Sequence, residues 1–254
     1  MDLQFSDLDP QKKIYFASDF HLGAPDRISS MEREKKIVRW LTEVSSHAAG
    51  IFLAGDLFDF WFEYKHVVPK GYLRFLGKLA EIKDKGIPII IFTGNHDLWM
   101  ADYLTRELNI PIIHQPQSFQ IGPHIVHIGH GDGLGPGDEK FKFFKKIFTN
   151  GLAQWAFRWL HPDLGIWLAN KWSDHSRDTC SDPPFKGDEE WLIQYCKEVE
   201  AKTHHDFYIF GHRHLAIEAP ISTHSTYFNL GEWINGSTYL EMTRDNATLK
   251  TFEN

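Results

Sequence analysis

The sequence predicts an α/β layered fold, and three observations carry the prediction. Apolar runs of strand length alternate with segments of helical spacing through most of the chain. Of the 254 residues, 42% are hydrophobic and 15% aromatic, enough for one large core without requiring a second domain. Asp, His and Asn recur directly behind the strand-like runs, in four of five cases beside glycine.

In chain order, Ile14 to Ala17 reads as a first strand and ends at Ser18-Asp19. Residues 31–47 carry helical spacing through Ile37, Val38, Leu41 and Val44. Ile51 to Ala54 is a second strand running into Gly55-Asp56, and a helix over about 71–84 follows through Leu73, Leu76, Leu79 and Ile82. Ile87 to Phe92 is a third strand, ending at Thr93-Gly94-Asn95, with a short helix over roughly 98–108 behind it. After Pro111 short β runs take over at 117–121 and 124–129. Asp206 to Phe210 is a later strand, and 226–230, 237–243 and 247–252 read as a closing antiparallel meander.

Between the β regions, about 134–203 reads as a helical, aromatic-rich insertion, a cap on a single domain spanning 1–254. Trp155, Trp159, Trp167, Trp172 and Trp191 fall in it. Phe141, Phe144, Phe148, Leu152, Trp155 and Trp159 step by three or four residues and so form one helical stripe. From 138 to 177, seven basic residues (Lys140, Lys142, Lys145, Lys146, Arg158, Lys171 and Arg177) stand against four acidic ones.

The whole chain is otherwise acidic, with net charge -7, which disfavours a nucleic-acid partner. Cys180 and Cys196 form neither a disulfide framework nor a zinc finger, as suits a reducing cytoplasm. The polar start lacks a signal-peptide core, and no run of about 18 apolar residues is present to span a bilayer.

Five motifs hold the chemistry: Asp19-Phe20-His21, Gly55-Asp56, Gly94-Asn95-His96-Asp97, Gly129-His130-Gly131-Asp132 and Gly211-His212-Arg213-His214. Each follows a predicted strand, and loops at the carboxyl ends of strands converge on one edge of an open sheet. Hard oxygen and borderline nitrogen donors without thiolate suit a hydrolytic metal pair better than a structural zinc. Alternation inside Asp19-x-His21 and His212-x-His214 predicts that extended backbone points both donors of each pair the same way. Asp56, alone between them, is placed to bridge two cations. Any one of these histidines alone is more often a surface or core residue than a ligand; five motifs in this order, each behind a strand, are not a chance set. Asp59 and Asp132 read either as turn caps or as supports for ligand imidazoles.

The order of these motifs resembles that of the calcineurin-like metallophosphoesterases. The resemblance covers residues 19–214 and implies a four-layer αββα sandwich with the site at the strand ends. It implies one metal held by Asp19, His21, Asp56 and His214, and a second held by Asp56, Asn95, His130 and His212. Two divalent ions, manganese first with magnesium, iron or zinc as alternatives, would activate water for in-line attack on phosphorus. Asn95 and His96 are then candidates for the reacting phosphate, with His96 supplying a proton or hydrogen bond. Asp97 is a candidate to orient His96, or equally an N-cap before Leu98-Trp99.

The run Gly55-Asp56-Leu57-Phe58-Asp59-Phe60-Trp61, with the insertion, is similar to the UDP-2,3-diacylglucosamine pyrophosphohydrolases of lipid A synthesis. That similarity implies a nucleotide-linked glycolipid substrate contacted by Asn95, His96, Asp138, Ser173, Arg177 and His212. It also implies work in the cytoplasm, at the inner-leaflet membrane surface. The aromatic stripe would receive acyl chains or lie in the interface, or else simply pack the cap onto the core. Two positions depart from that pattern: His96 stands where those enzymes often carry Arg, and Arg213 where they tend to carry Thr. Arg213 reads as facing either solvent or a substrate phosphate. The departures keep two other readings open, a general phosphodiesterase or nucleotide phosphatase, and a non-catalytic scaffold.

Overall fold

Strand residues of alternating direction build two cores at once, and this places the sheets. In the computed structural model β1 (Lys13–Ala17), β2 (Ala48–Ala54) and β3 (Ile89–Phe92) run parallel, with Phe16 opposite Phe52 and Phe52 opposite Ile90. Tyr15, Ala17, Ile51, Leu53, Ile89 and Ile91 point outward under α1 (Arg27–Ser45) and α2 (Leu73–Asp84). Ile14, Phe16, Phe52, Ala54, Ile90 and Phe92 point inward and meet a second sheet. The structure describes residues 5–136, 139–168, 171 and 184–253, without the side chains of 139–141 and 144.

The first sheet is completed by β4 (Ile112–Ile113), β10 (Thr238–Met242) and β11 (Ala247–Thr251), in the order β11-β10-β1-β2-β3-β4. The second sheet runs β5-β6-β7-β9-β8, with β5 at Gln117–Ile121, β6 at His124–Ile128, β7 at Phe207–Phe210, β8 at Ala216–Ser222 and β9 at Ser225–Leu230. Val126, Ile128, Ile209, Phe228 and Leu230 face the first sheet. Tyr208, Phe210 and Tyr227 face outward against Leu192, Ile193 and Cys196 of α7 (Trp191–Glu200). Helix, sheet, sheet, helix is the layering that the family resemblance implied, within the α/β class read from the residues.

Three expectations change. The closing segments are not one meander: β9 pairs in parallel with β7, and only β10 and β11 form an antiparallel pair, in the other sheet. Edge strand β8 is not among the expected strands: its residues alternate between exposed and half-buried, but Pro220 within the run argues against a strand in sequence. The helix expected over 98–108 is confined to α3 (Tyr103–Leu108), where Glu63 caps the first turn by accepting from Asp102 N (2.9 Å) and Tyr103 N (3.0 Å). Finally, α7 is the fourth layer of the sandwich, so the cap ends before it.

Among the described residues the cap consists of α4 (Glu139–Phe148), α5 (Gly151–Arg158) and helical residues 162–168, here α6. The expected continuous stripe is broken between α4 and α5, where the Asn150 side chain accepts from Leu152 N at 2.9 Å and starts a new helix.

Candidate active site

The first turn of α1 begins the site. Asp26 caps the helix through Ile28 N (2.8 Å) and Ser29 N (3.0 Å). One turn on, buried Arg33 reaches back to the Asp19–His21 loop, donating to the carbonyls of Phe20 (2.6 Å), His21 (2.5 Å) and Ala24 (2.5 Å). Nothing in the spacing of the sequence singles out Arg33.

Asp19, His21, Asp56, His212 and His214 all have left-handed backbone, with φ of 55°, 43°, 52°, 71° and 50°. The expectation of extended backbone at Asp19-x-His21 and His212-x-His214 is therefore corrected. Each such residue costs about 1–3 kcal/mol and persists only where its surroundings over-determine it. A concentration of this strain on Asp and His side chains is the mark of a built site.

Among the described residues three groups of possible metal donors form, one of them His21, Asp59 and His96, and these loops build the other two. Asp19, His21 and His214 bring one donor atom each within 4.8 Å of one another, as do Asp56, His130 and His212. His212 and His214 thus separate, one to each cluster, instead of acting as a pair. Asp56 lies between them: its Oδ2 is 3.2 Å from His130 Nε2 and 3.8 Å from His21 Nε2. Its Oδ1 is occupied by the His96 backbone N–H at 2.8 Å, so a single oxygen faces both clusters. Asn95 Oδ1 is 3.3 Å from His130 Nε2 and completes the second group. Glycine makes room for the carboxylates, since a methyl group at Gly94 would overlap Asp56 Oδ1 and one at Gly211 would overlap Asp19 Oδ2.

The supporting contacts fix which nitrogen each ring presents. His130 Nδ1 donates to the Ala54 carbonyl at 2.8 Å, turning Nε2 to the cluster. His96 Nδ1 donates to the Asp59 carbonyl at 2.9 Å, and its ring stands edge-on to His21 with centroids 4.8 Å apart. The Asp59 carboxylate sits 3.7 Å from His21 Nδ1 and 3.8 Å from His96 Nδ1, so it backs both imidazoles. The sequence had offered Asp97 for His96; the Asp97 carboxylate instead accepts from Gly94 N (2.7 Å) and Leu57 N (2.8 Å), tying two loops together. Burial, and then the neighbouring Asp56 charge, push it up to about 7.

Burial opposes charge on Asp19, but hydrogen bonds from His21 and His214 hold its carboxyl well below the usual range. Burial likewise opposes charge on His21 and His130, yet the adjoining carboxylates raise them to about 9 and about 10. Two buried carboxylates thus favour positive charge beside them. Divalent cations fit the same donors: hard oxygens and imidazole nitrogens, converging and free of thiolate.

The cap stands on these loops. Lys145 Nζ contacts Asp132 Oδ2 at 2.6 Å and the Asp132 carbonyl at 3.0 Å, and Trp99 Nε1 donates to the Phe148 carbonyl at 2.6 Å. Phe157 packs on Phe62 and Trp99, each with centroids 4.7 Å away. Leu152, Trp155 and Trp159, the outer part of the stripe, are 78%, 60% and 76% exposed and do not pack the cap onto the core. Asp138, Ser173 and Arg177 lie outside the described residues. Arg213 faces neither solvent nor phosphate: it is buried against Glu190, its Nε 2.6 Å from Glu190 Oε1.

Four layers with paired Asp/His clusters at the strand ends define a phosphoesterase scaffold, and the chain belongs to the calcineurin-like phosphoesterases, whose pattern matches residues 12–216. Over 264 aligned residues it is 35% identical to the UDP-2,3-diacylglucosamine hydrolase of Porphyromonas gingivalis, covering 96% of this chain and 98% of that one. It is 23% identical to the UDP-2,3-diacylglucosamine hydrolase of Shewanella baltica strain OS223, over 94% and 97% of the two chains. Among solved structures it is similar to a phosphoesterase from E. coli, with a TM-score of 0.47 and 16% identity over 94% of this chain and 92% of that one.

Proposed function

We propose that this protein hydrolyses the diphosphate bond of UDP-2,3-diacylglucosamine, releasing UMP and 2,3-diacylglucosamine 1-phosphate. The observation that carries the chemistry is the single Asp56 oxygen lying between two Asp/His clusters. Asp19, His21, Asp56 and His214 would hold one divalent cation; Asp56, Asn95, His130 and His212 would hold the other, with manganese as the working metal. Bound there, the cations supply Lewis acidity toward phosphoryl oxygens and activate water.

The chain's own residues do the rest. Ala54 and Asp59 fix the His130 and His96 rings, so neither must reorganise as the substrate arrives. Asn95 stands beside His130 of the second cluster and the His96 ring beside His21 of the first, and from these two sides they would orient the diphosphate. Water would give up a proton to solvent as its oxygen bonds one phosphorus, while the bridging P–O bond breaks and the departing phosphate keeps the electron pair. Its last pKa is about 6, so the leaving group asks for little proton assistance; with its Nδ1–H given to the Asp59 carbonyl, His96 would donate to a phosphate oxygen through Nε2 as the imidazolium.

The cap supports the lipid part of the reading. Exposed Leu152, Trp155 and Trp159, with exposed Lys146 and Arg158 in the same helices, match an anionic lipid surface or acyl chains carrying phosphate. No helix among the described residues is long and apolar enough to cross a membrane. The proposed place of action is the cytoplasmic face of the inner membrane, and the proposed organisation is one domain spanning 1–254 whose cap rests on the site.

Mass-spectrometric measurement of UMP release with added Mn²⁺ tests this. UDP-2,3-diacylglucosamine should be turned over far faster than an unacylated UDP-sugar or bis-nitrophenyl phosphate. Equal turnover of all three removes the lipid assignment, and no metal-dependent turnover of any removes the enzyme.

A further inference from the structure

One residue separates His212 from His214, yet they enter different clusters. The backbone between them explains how. Arg213 N–H donates to the Gly211 carbonyl at 2.9 Å across His212, whose φ is 71°, which is a γ-turn of the strained, positive-φ kind. His214 follows at φ 50°. Two consecutive imidazole carriers in left-handed backbone need an anchor, and the residue between them supplies it.

Arg213 is 1% exposed and Glu190 0%. Their contact is two-pronged, with Nε 2.6 Å from Oε1 and Nη2 3.2 Å from Oε2, and the guanidinium lies 4.6 Å from the Trp191 ring centre. Glu190 begins α7, the outer-layer helix. Buried Asn229 of β9 donates Nδ2 to the same Gly211 carbonyl, clamping the turn from the other side.

We infer that the buried Arg213–Glu190 pair is a positioning device that aims His212 and His214 into the two clusters, so that both cation sites depend on one ion pair that belongs to neither donor group. The inference rests on the proposed reading that these histidines hold the two ions. Lysine could not replace Arg213, because a point charge cannot reproduce the fork or the stacking on Trp191.

The test is calorimetric titration of metal-free protein with Mn²⁺, alongside thermal melting. In Arg213→Met/Glu190→Met the ion pair is replaced by apolar side chains, a change buried pairs often tolerate in stability. The double variant should melt near the wild type and bind both ions about 10–100-fold more weakly, as loss of outer supports typically does. Should it fail to fold, Arg213→Lys is the comparison, with weakening of both ions again expected. Glu200→Gln, which loosens the opposite end of α7, should lower the melting temperature and leave both affinities unchanged. A folded variant that binds two ions with wild-type affinity, or weakens only one, overturns the inference. So does equal loss of affinity in Glu200→Gln. A wild type that does not take two ions overturns the metal-site reading itself, a result distinguishable from all of these.

Discussion

Arg33→Met removes three hydrogen bonds from a charged donor to the buried carbonyls of Phe20, His21 and Ala24. Bonds of this kind contribute about 1.5–3 kcal/mol each, and leaving acceptors unsatisfied in a buried loop adds cost. The three share one side chain and one loop and do not add fully, so a loss of about 3–5 kcal/mol is expected. At about 2–4 °C per kcal/mol for a chain of this size, the melting temperature should fall by roughly 6–20 °C. Mn²⁺ affinity should fall with it, because the released loop carries Asp19 and His21. Arg33→Lys should recover little, since one ammonium cannot span three carbonyls. Thermal melting of metal-free protein, followed by Mn²⁺ titration, measures both effects. An Arg33→Met protein that melts within roughly 2 °C of the wild type would refute the reasoning that this residue holds the loop.

Replacing Leu152, Trp155 and Trp159 together by Ser should leave folding intact and reduce co-sedimentation with phosphatidylglycerol vesicles about a hundredfold or more, from about 1–2 kcal/mol per side chain; unchanged partitioning would reject the cap as a lipid contact. His21 and His130, raised to about 9 and about 10, are charged at neutral pH in the metal-free protein. Mn²⁺ must displace those protons, so its affinity should rise with pH, and calorimetry in buffers of different ionisation heat should register proton release; affinity that is flat from about pH 6.5 to 9 would contradict this. The sign for stability is opposite: raised histidine pKa values favour the metal-free fold fully below about 6.5, and that contribution is lost as pH climbs through about 9 to 10. Gly94→Ala should displace the Asp56 carboxylate and weaken both ions, while Gly77→Ala, where a methyl group meets nothing within 4 Å, should not.

The parallel strands and their loops were legible because their residues are buried on both faces and end at Gly-flanked Asp, Asn and His. The seven donors expected to hold metals, Asp19, His21, Asp56, Asn95, His130, His212 and His214, come together for that reason. Backbone conformation was not legible. An alternating Asp-x-His looks extended in sequence, whereas left-handed residues send His212 and His214 to separate clusters. The supports were hidden too, because Arg33, Glu63 and Glu190 act through carbonyls, amides and partners distant in sequence. Their burial offered no pattern, since a paired buried charge reads in sequence like a surface one. Arg213 illustrates this: its motif position pointed toward the site, and its side chain points to α7. In the cap, periodicity ran through Asn150 without pause, yet the capping side chain divides the stripe and leaves its outer half exposed.

Equilibrium dialysis of the metal-free protein against Mn²⁺, with phosphoester hydrolysis followed as the ions load, addresses the core of this account. Two ions per chain are expected, with turnover arising as the second binds and both lost in Asp56→Ala. Saturation at one ion or none, or turnover that persists in Asp56→Ala, would contradict it.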